Sequence, residues 1–322
     1  MNADVLGAGS FAASESEEEF PKQTKVVVTG ASGFVGSHIV DALTQAGHFV
    51  VGLSRNKPSQ VRKNKQAVYF DKVDVTNRAT ISKEAFENAE IVVHCVGIIK
   101  EKGKNQTFQK IHVEGTYNVL DAARASNTVR QVIYISAIGS TIDAPAEYSR
   151  TKSAAEDIIR KSGAPFTILR PSVILGPDGE FVQQMADLVL HGGLPIPLPF
   201  PFIPIPGKGT NKFQPIYITN VTQSVVNAIK LPGAINQMIE IGGATEVSFD
   251  KLIEGFSRKL NVKKPLMHMP MGLMMALVPL LPVTRDQLLN LKRDSICDVT
   301  RMREILKVQP LTFEQTLSFL FS

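Results

Sequence analysis

The sequence predicts an α/β fold, a doubly wound parallel sheet followed by a smaller C-terminal α/β lobe. Three observations lead there. Short Val- and Ile-rich runs recur between helical patterns, at residues 26–28, 48–53, 68–75, 91–96, 132–136 and 166–169. Continuous apolar runs of this kind belong to parallel strands covered on both faces. The first run leads at once into glycines spaced by three, Gly30, Gly33 and Gly36. From Gly176 onward the alternation becomes irregular, as expected where a second lobe begins. Strands alternating with helices imply right-handed crossovers and a Rossmann-type sheet. The expected boundaries are a disordered acidic tail over 1–23, a nucleotide-binding domain over 24–175, and a smaller lobe over 176–322. A segment near 213–230 returns to the first domain, with Phe213 to Val221 read as a strand.

The opening stretch reads KVVVTGASGFVG from Lys25 to Gly36. After it, Phe34, Val35, Ile39, Val40 and Leu43 have helical apolar spacing. Strand, glycine turn and helix in that order aim backbone N–H groups and a helix N-terminus at a pyrophosphate. Glycine is required because a Cβ would hold the phosphates off the backbone. The second strand, 48–53, ends in Ser54 and Arg55, with no acid in the place that would bind a ribose 2′-hydroxyl. Arginine offers a rigid fork to a 2′-phosphate, so the expected cofactor is NADP(H). The cations Lys57, Arg62, Lys63 and Lys65 read as a solvated loop.

The run 68–75 reads as a third strand with Asp74 and Val75 at its end, where an acid and an apolar residue could meet an adenine edge. The fourth, 91–96, ends at Val96 and Gly97, and a glycine there lets the backbone approach a ribose. Residues 108–123 read as one amphipathic helix. After the fifth strand, Tyr148 and Lys152 lie one helical turn apart on one face. A lysine beside a phenol favours the phenolate and brings it toward acid–base use near neutral pH. Residues 166–169 form the sixth strand, followed by Arg170, Pro171 and Ser172.

Composition bounds the rest. The 322 residues are 43% hydrophobic and 20% charged, a soluble globular balance. Two distant cysteines, Cys95 and Cys297, argue against a disulfide framework or a zinc site, and Cys95 reads as a core thiol. The first 23 residues carry a net −4 and the remainder +9. That surplus suits phosphate ligands, acidic partners or an anionic membrane surface. The absence of an arginine stripe with interleaved aromatics argues against nucleic acid. The tail lacks the basic start and apolar run of a secretion signal and is too acidic for a transit peptide. The expected location is the cytoplasm or the cytoplasmic face of the inner membrane, or the matrix side in an organelle.

These motifs resemble the extended short-chain dehydrogenase/reductase family. The resemblance rests on the glycine turn, Asp74-Val75, VEGTYNVLDAA at 113–123, YSRTK at 148–152 and LRPSVILGP at 169–177. Within the family the chain is most similar to an atypical branch that contains the NADPH-binding accessory subunit of respiratory complex I. The pointers are YISAIGS at 134–140, IPIPGKGTNKFQPIYITNV at 203–221 and TRDQLLNLKRDSICD at 284–298. The resemblance implies cofactor contacts from Gly30, Ser32, Gly33, Phe34, Val35, Gly36, Ser54, Arg55, Asp74, Val75, Val96, Gly97, Tyr148, Lys152, Pro171 and Val173, with Tyr148 and Lys152 as the catalytic pair.

Two departures bear on activity. Active relatives carry a serine or threonine just after strand five, and here Ala137 takes that place while Ser136 faces the other way. His112 stands where the family has an asparagine. The branch implies a complex I accessory or assembly factor with little turnover. The intact Tyr148/Lys152 pair supports the alternative, an NADPH-dependent reductase, epimerase or dehydratase of a small carbonyl or sugar-nucleotide substrate. Two apolar stretches remain, the proline-rich 194–206 and MGLMMALVPLL at 271–281. The first forbids a helix or central strand and should be a loop tucked at the lobe junction or a partner contact. The second is too short to span a bilayer and reads as core or domain interface, with peripheral membrane docking as the alternative.

Overall fold

The computed structural model describes residues 23–56, 67–70, 72–192, 201–281 and 283–322. The expectations for the acidic tail, the basic loop after Asn56 and residues 194–200 lie outside these.

In chain order the first half contains β1 (Lys25–Thr29), α1 (Phe34–Gln45), β2 (Phe49–Leu53), β3 (Ala67–Phe70), α2 (Lys83–Phe86), β4 (Ile91–His94), α3 (Gly115–Ser126), β5 (Gln131–Ile135), α4 (Glu147–Lys161) and β6 (Phe166–Pro171). The second half adds β7 (Ile174–Leu175), α5 (Glu180–His191), β8 (Ile203–Pro206), β9 (Lys212–Phe213), β10 (Ile216–Tyr217), α6 (Ile218–Lys230), β11 (Gln237–Ile241), β12 (Val247–Ser248), α7 (Phe249–Lys259), β13 (Leu266–Met269), α8 (Met271–Leu277), α9 (Arg285–Leu291), α10 (Thr300–Leu306) and α11 (Phe313–Leu320).

Seven strands form one parallel sheet in the order β11-β6-β5-β4-β1-β2-β3. The continuous apolar runs are explained by burial on both faces. Val26, Val28, Ile91, Val93, Ile133 and Ile135 pack with α1, α6 and α10, while Val27, Val92, Val132 and Tyr134 pack with α3 and α4. Strand order reverses at β1, between β2 and β4, and this opens a crevice at their C-terminal ends. A separate cluster built on Leu175, Ile203, Ile205, Phe249, Phe256, Phe313 and Leu317 is the core of the smaller lobe.

Several elements differ from the sequence reading. Strand β3 stops at Phe70: Lys72 has a left-handed φ of 61°, and further on Asp74 Oδ1 accepts the N–H (2.9 Å) and hydroxyl (2.8 Å) of Thr76 in a turn. The predicted helix over 108–123 begins as a π-helical turn, Gln109–Glu114, and becomes α-helical at Gly115. The expected strand near 213–221 is two short pairings followed by α6, whose Ile218, Val221, Val225 and Ala228 face the core at helical spacing. The seventh strand, β11, comes from the second half and closes the sheet beside β6. In the proline-rich stretch, Ile203 and Ile205 are buried while Pro204 and Pro206 sit in a two-stranded ladder with β13. The stretch 271–281, read as core or domain interface, is buried only in part. Met274 is buried, but Leu273 is 47% exposed and Gly272 and Ala276 are exposed too.

Candidate functional site

The glycine turn sits at the crevice. Gly30 adopts φ +72°, and a Cβ there would press on the Cys95–Val96 backbone at 3.2–3.3 Å. Gly33 N–H donates to Gly30 C=O (2.9 Å) and closes the turn. A Cβ on Gly36 would lie 2.1 Å from Gly30 O, so that glycine lets helix and turn pack. Gly33 is different. It is exposed, has an ordinary φ of −80°, and its Cβ would meet only Gly30 O at 3.3 Å. It is also the N-cap of α1, with no side-chain cap and no acid in the first turn, which leaves the helix N-terminus open to an anion. Ser32 is exposed beside it, and Phe34 and Val35 are half-buried. The Phe34 ring packs under Gly176 and Gly179, where a Cβ would come within 2.6–3.1 Å of it.

At the far end of the crevice Ser54 is buried, and its hydroxyl donates to Asn56 C=O (2.6 Å). Arg55 is exposed, and among the described residues no carboxylate pairs with it. Asp74 keeps Oδ2 free of described protein donors, and Val75 is buried against Gly115.

At the reacting end, Lys152 is 4% exposed and its Nζ donates to Ile135 C=O (2.9 Å). It lies 4.9 Å over the Tyr134 ring. Burial lowers its pKa to about 8, against opposing pulls from Cys95 and Glu156. A Cβ on Gly97 would approach Nζ to 3.1 Å. Among the described residues no second acceptor meets the amine, so a buried ammonium keeps two unmet donors facing the Gly97 loop.

Tyr148 starts the same helix. Its ring meets His112 and Phe108 edge-on at centroid distances of 5.5 and 5.9 Å. No described residue hydrogen-bonds its hydroxyl. The expected lysine-assisted lowering of its pKa is absent. Burial, then the charge of Asp286, pushes the phenol up to about 12.

His112 has a definite job. Ile98 N–H donates to its Nε2 (3.1 Å), so the ring proton sits on Nδ1 and donates to Thr151 Oγ1 (2.9 Å). The ring is held neutral, its pKa well below the usual histidine value because of burial and then the Lys152 charge. Beneath it, Thr29 Oγ1 donates to His94 Nδ1 (2.7 Å), His94 Nε2–H donates to Thr116 Oγ1 (3.0 Å), and Thr116 Oγ1 donates to His112 C=O (2.5 Å). This chain ties the strand that carries the glycine turn to the π turn.

Ser136 Oγ donates to Glu156 Oε1 (2.5 Å), and that carboxylate is bidentate with Arg170 (2.8 and 2.5 Å). Its hydroxyl is committed to this buried pair, and half-buried Ala137 follows it in the chain. Pro171 is buried at the end of β6, with its carbonyl accepting Ile138 N–H, and Val173 lies at the edge of the smaller lobe's core. Cys95 and Cys297 are free thiols, each pushed up to about 12 chiefly by burial.

The structure thus places Gly30 against the Cys95–Val96 backbone, Gly97 beside Lys152 Nζ, and Tyr148 one turn before Lys152 on α4, while Ser54 and Arg55 follow β2 and Asp74 follows β3. A histidine at position 112 read as a packing or hydrogen-bonding residue, and its ring makes two hydrogen bonds. The approach of Asp286 to Tyr148 is the second feature, and the sequence did not show it. The second lies in the 284–298 motif, but nothing in its spacing places it beside Tyr148.

A parallel sheet with a glycine turn at its strand-order reversal, a Tyr/Lys helix and a closing lobe defines an extended short-chain dehydrogenase/reductase. The chain belongs to the NAD dependent epimerase/dehydratase family, which it matches over residues 26–242. It is 26% identical over 282 residues to NADH dehydrogenase (ubiquinone) 1 alpha subcomplex subunit 9, mitochondrial, of Arabidopsis thaliana, covering 82% of this chain and 67% of that protein. The Dictyostelium discoideum protein of the same name is 24% identical over 246 residues, with 73% and 65% covered. The chain therefore spans about two thirds of the length of these relatives. UDP-glucose 4-epimerase of Vibrio cholerae is 26% identical over 282 residues, with 79% and 80% covered. Among solved structures, UDP-glucuronic acid 4-epimerase from Bacillus cereus, in complex with UDP-glucuronic acid and NAD, shares the fold. Its TM-score is 0.71 at 19% identity, over 92% of this chain and 98% of that one.

Proposed function

We propose that this protein binds NADP(H) in the crevice and serves as a structural or assembly accessory factor of respiratory complex I, with little or no turnover. The observation that carries this is a dinucleotide cradle joined to an incomplete reaction site. Three features support dinucleotide binding. Gly33 leaves the α1 N-terminus open to a pyrophosphate. Gly97 leaves room beside the two unmet donors of Lys152, which suit ribose hydroxyls. Exposed Arg55 at the end of β2 suits a 2′-phosphate. When bound, the nicotinamide supplies hydride chemistry. Proton delivery and carbonyl polarisation would fall to the protein. Ala137 offers no hydroxyl, Ser136 is committed to Glu156, and burial with the Asp286 charge disfavours a Tyr148 phenolate.

Complex I association is supported by similarity to the subunit 9 proteins of Arabidopsis and Dictyostelium. Peripheral attachment to an anionic membrane fits the exposed apolar α8 and the net positive charge outside the tail. Among the described residues no helix is long and apolar enough to cross a membrane. The proposed location is a cytoplasmic membrane face or its matrix-side equivalent. A second reading, a reductase, epimerase or dehydratase, is favoured by Tyr148 and Lys152 standing one turn apart and by likeness to the Vibrio epimerase.

Tyr148→Phe tests the choice in cells. The accessory role predicts wild-type function from a variant that still folds and binds NADPH. Loss of function with binding intact would establish the enzymatic reading instead.

A further inference from the structure

We propose that Asp286 is a positioning residue that couples the C-terminal lobe to Tyr148. Helix α4 is 15 residues long, and its N-cap, Ala146, has no side chain able to accept its first N–H groups. Asp286 does that work from 138 residues downstream in the chain. Its Oδ1 accepts Glu147 N–H (2.6 Å) and its Oδ2 accepts Tyr148 N–H (3.2 Å). Asn290, one turn along the same short helix, accepts the Ser149 hydroxyl (3.1 Å). Helix α9 is fixed at its own start by a capping box between Thr284 and Gln287.

The segment after α9 is pinned just as firmly. Asp294 Oδ1 accepts Lys212 N–H (2.8 Å), and Ser295 N–H donates to Lys212 C=O (2.8 Å). Ser295 C=O accepts Gln214 N–H (3.0 Å) and the Ser172 hydroxyl (2.7 Å). Cys297 N–H donates to Gln214 Oε1 (2.8 Å). The motif that distinguishes this branch in the sequence is therefore a strap. It runs from the first turn of the Tyr/Lys helix to the chain that leaves β6, and it joins the lobe to the edge of the crevice.

The charge of this contact matters as well as its shape. Among the described residues, the groups that bear on Tyr148 are Asp286 from α9, neutral His112 from the π turn, Phe108, and Tyr134 from β5, and Lys152 follows one turn along α4. Asp286 is the anion among them, and it opposes formation of a phenolate. Any movement of α9 away from α4 would therefore remove a cap and a negative charge from the tyrosine together. The consequence for turnover rests on placing Tyr148 beside the nicotinamide. The titration below does not, because it is run on the ligand-free protein.

Phenolate absorbance is titrated in the full chain and in Asp286→Asn and Asp286→Glu, each with and without Tyr148→Phe, so that the difference isolates one phenol. Asp286→Asn keeps an acceptor oxygen and removes the charge. Its Tyr148 midpoint is expected to fall by roughly 0.5–1 pH unit, while Asp286→Glu stays near the parent. Hydrogen exchange at neutral pH supplies a second readout. The Glu147 and Tyr148 amides should exchange at least about tenfold faster in Asp286→Ala. An unchanged midpoint in Asp286→Asn would overturn the proposal and leave Asp286 as a helix cap only. Unchanged exchange in Asp286→Ala would overturn it too, because α9 would then not be seated on α4. NADPH titration of the same variants tests the cofactor reading separately, since Asp286 touches none of the proposed cofactor contacts except Tyr148.

Discussion

Substituting Gly33 by valine separates what the glycine turn does for the fold from what it does for a ligand. The residue has φ −80° and ψ 171°, a region valine occupies freely. The added Cβ meets one atom, Gly30 O, at 3.3 Å. The cost to the fold is loss of a permissive N-cap, about 1 kcal/mol, or roughly 3 °C in Tm for a chain of this size. The cost to binding is larger. The side chain would stand on the exposed side of the turn and hold a pyrophosphate away from the α1 N–H groups. Losing one charge-assisted hydrogen bond costs about 1.5–3 kcal/mol, or roughly 10- to 100-fold in NADPH affinity. Gly36→Ala is the opposite case. Its Cβ would overlap Gly30 O at 2.1 Å, and such overpacking costs about 1–3 kcal/mol even with no ligand present. NADPH fluorescence titration and thermal unfolding of both variants give the readouts. Wild-type NADPH affinity in Gly33→Val would refute the reasoning. So would a fall in Tm as large as that of Gly36→Ala.

Arg55→Ala should weaken NADPH binding by about tenfold or more and leave NADH binding nearly unchanged, as calorimetry with both nucleotides would show. Equal losses would mean that Arg55 does not meet the 2′-phosphate. His94 should stay neutral in the folded protein down to about pH 3, because burial lowers it from its ordinary 6.5. The unfolded chain takes up that proton between pH 6.5 and 3 and the native chain does not, so this residue's contribution to stability falls as pH falls through that window. NMR of its ring resonances should show no titration step between pH 7 and 5, and a midpoint near 6.5 would contradict the buried Thr29–His94–Thr116 chain.

Much of the sheet was legible because its strands are buried on both faces, so 26–28, 91–93 and 132–135 read as continuous runs of large apolar side chains. Strand β3 was overextended because Asp74 and Thr76 form a side-chain turn that hydrophobicity does not report. The helix at Ile218 was read as a strand because isoleucine, valine and threonine at its start favour strands, and packing against α1 and α10 overrides that preference. Around the site, Gly30, Gly33, Gly36, Tyr148 and Lys152 stood out by their spacing together with the strands and helices that flank them, and the structure places those flanking elements as expected. Loss of a free hydroxyl at Ser136 was expected from strand alternation, and its hydrogen bond to Glu156 gives the physical reason. The latch between Asp286 and α4 was hidden, since it joins residues 138 positions apart through a contact with no local pattern.

A respiratory accessory protein and a free-standing enzyme differ in what they travel with. Native separation of gently solubilised membranes, with the protein tracked by mass spectrometry, distinguishes the two. Co-migration with complex I subunits or with their assembly intermediates is the predicted result. Migration alone, as a soluble monomer or dimer in a preparation where complex I remains intact, would contradict it.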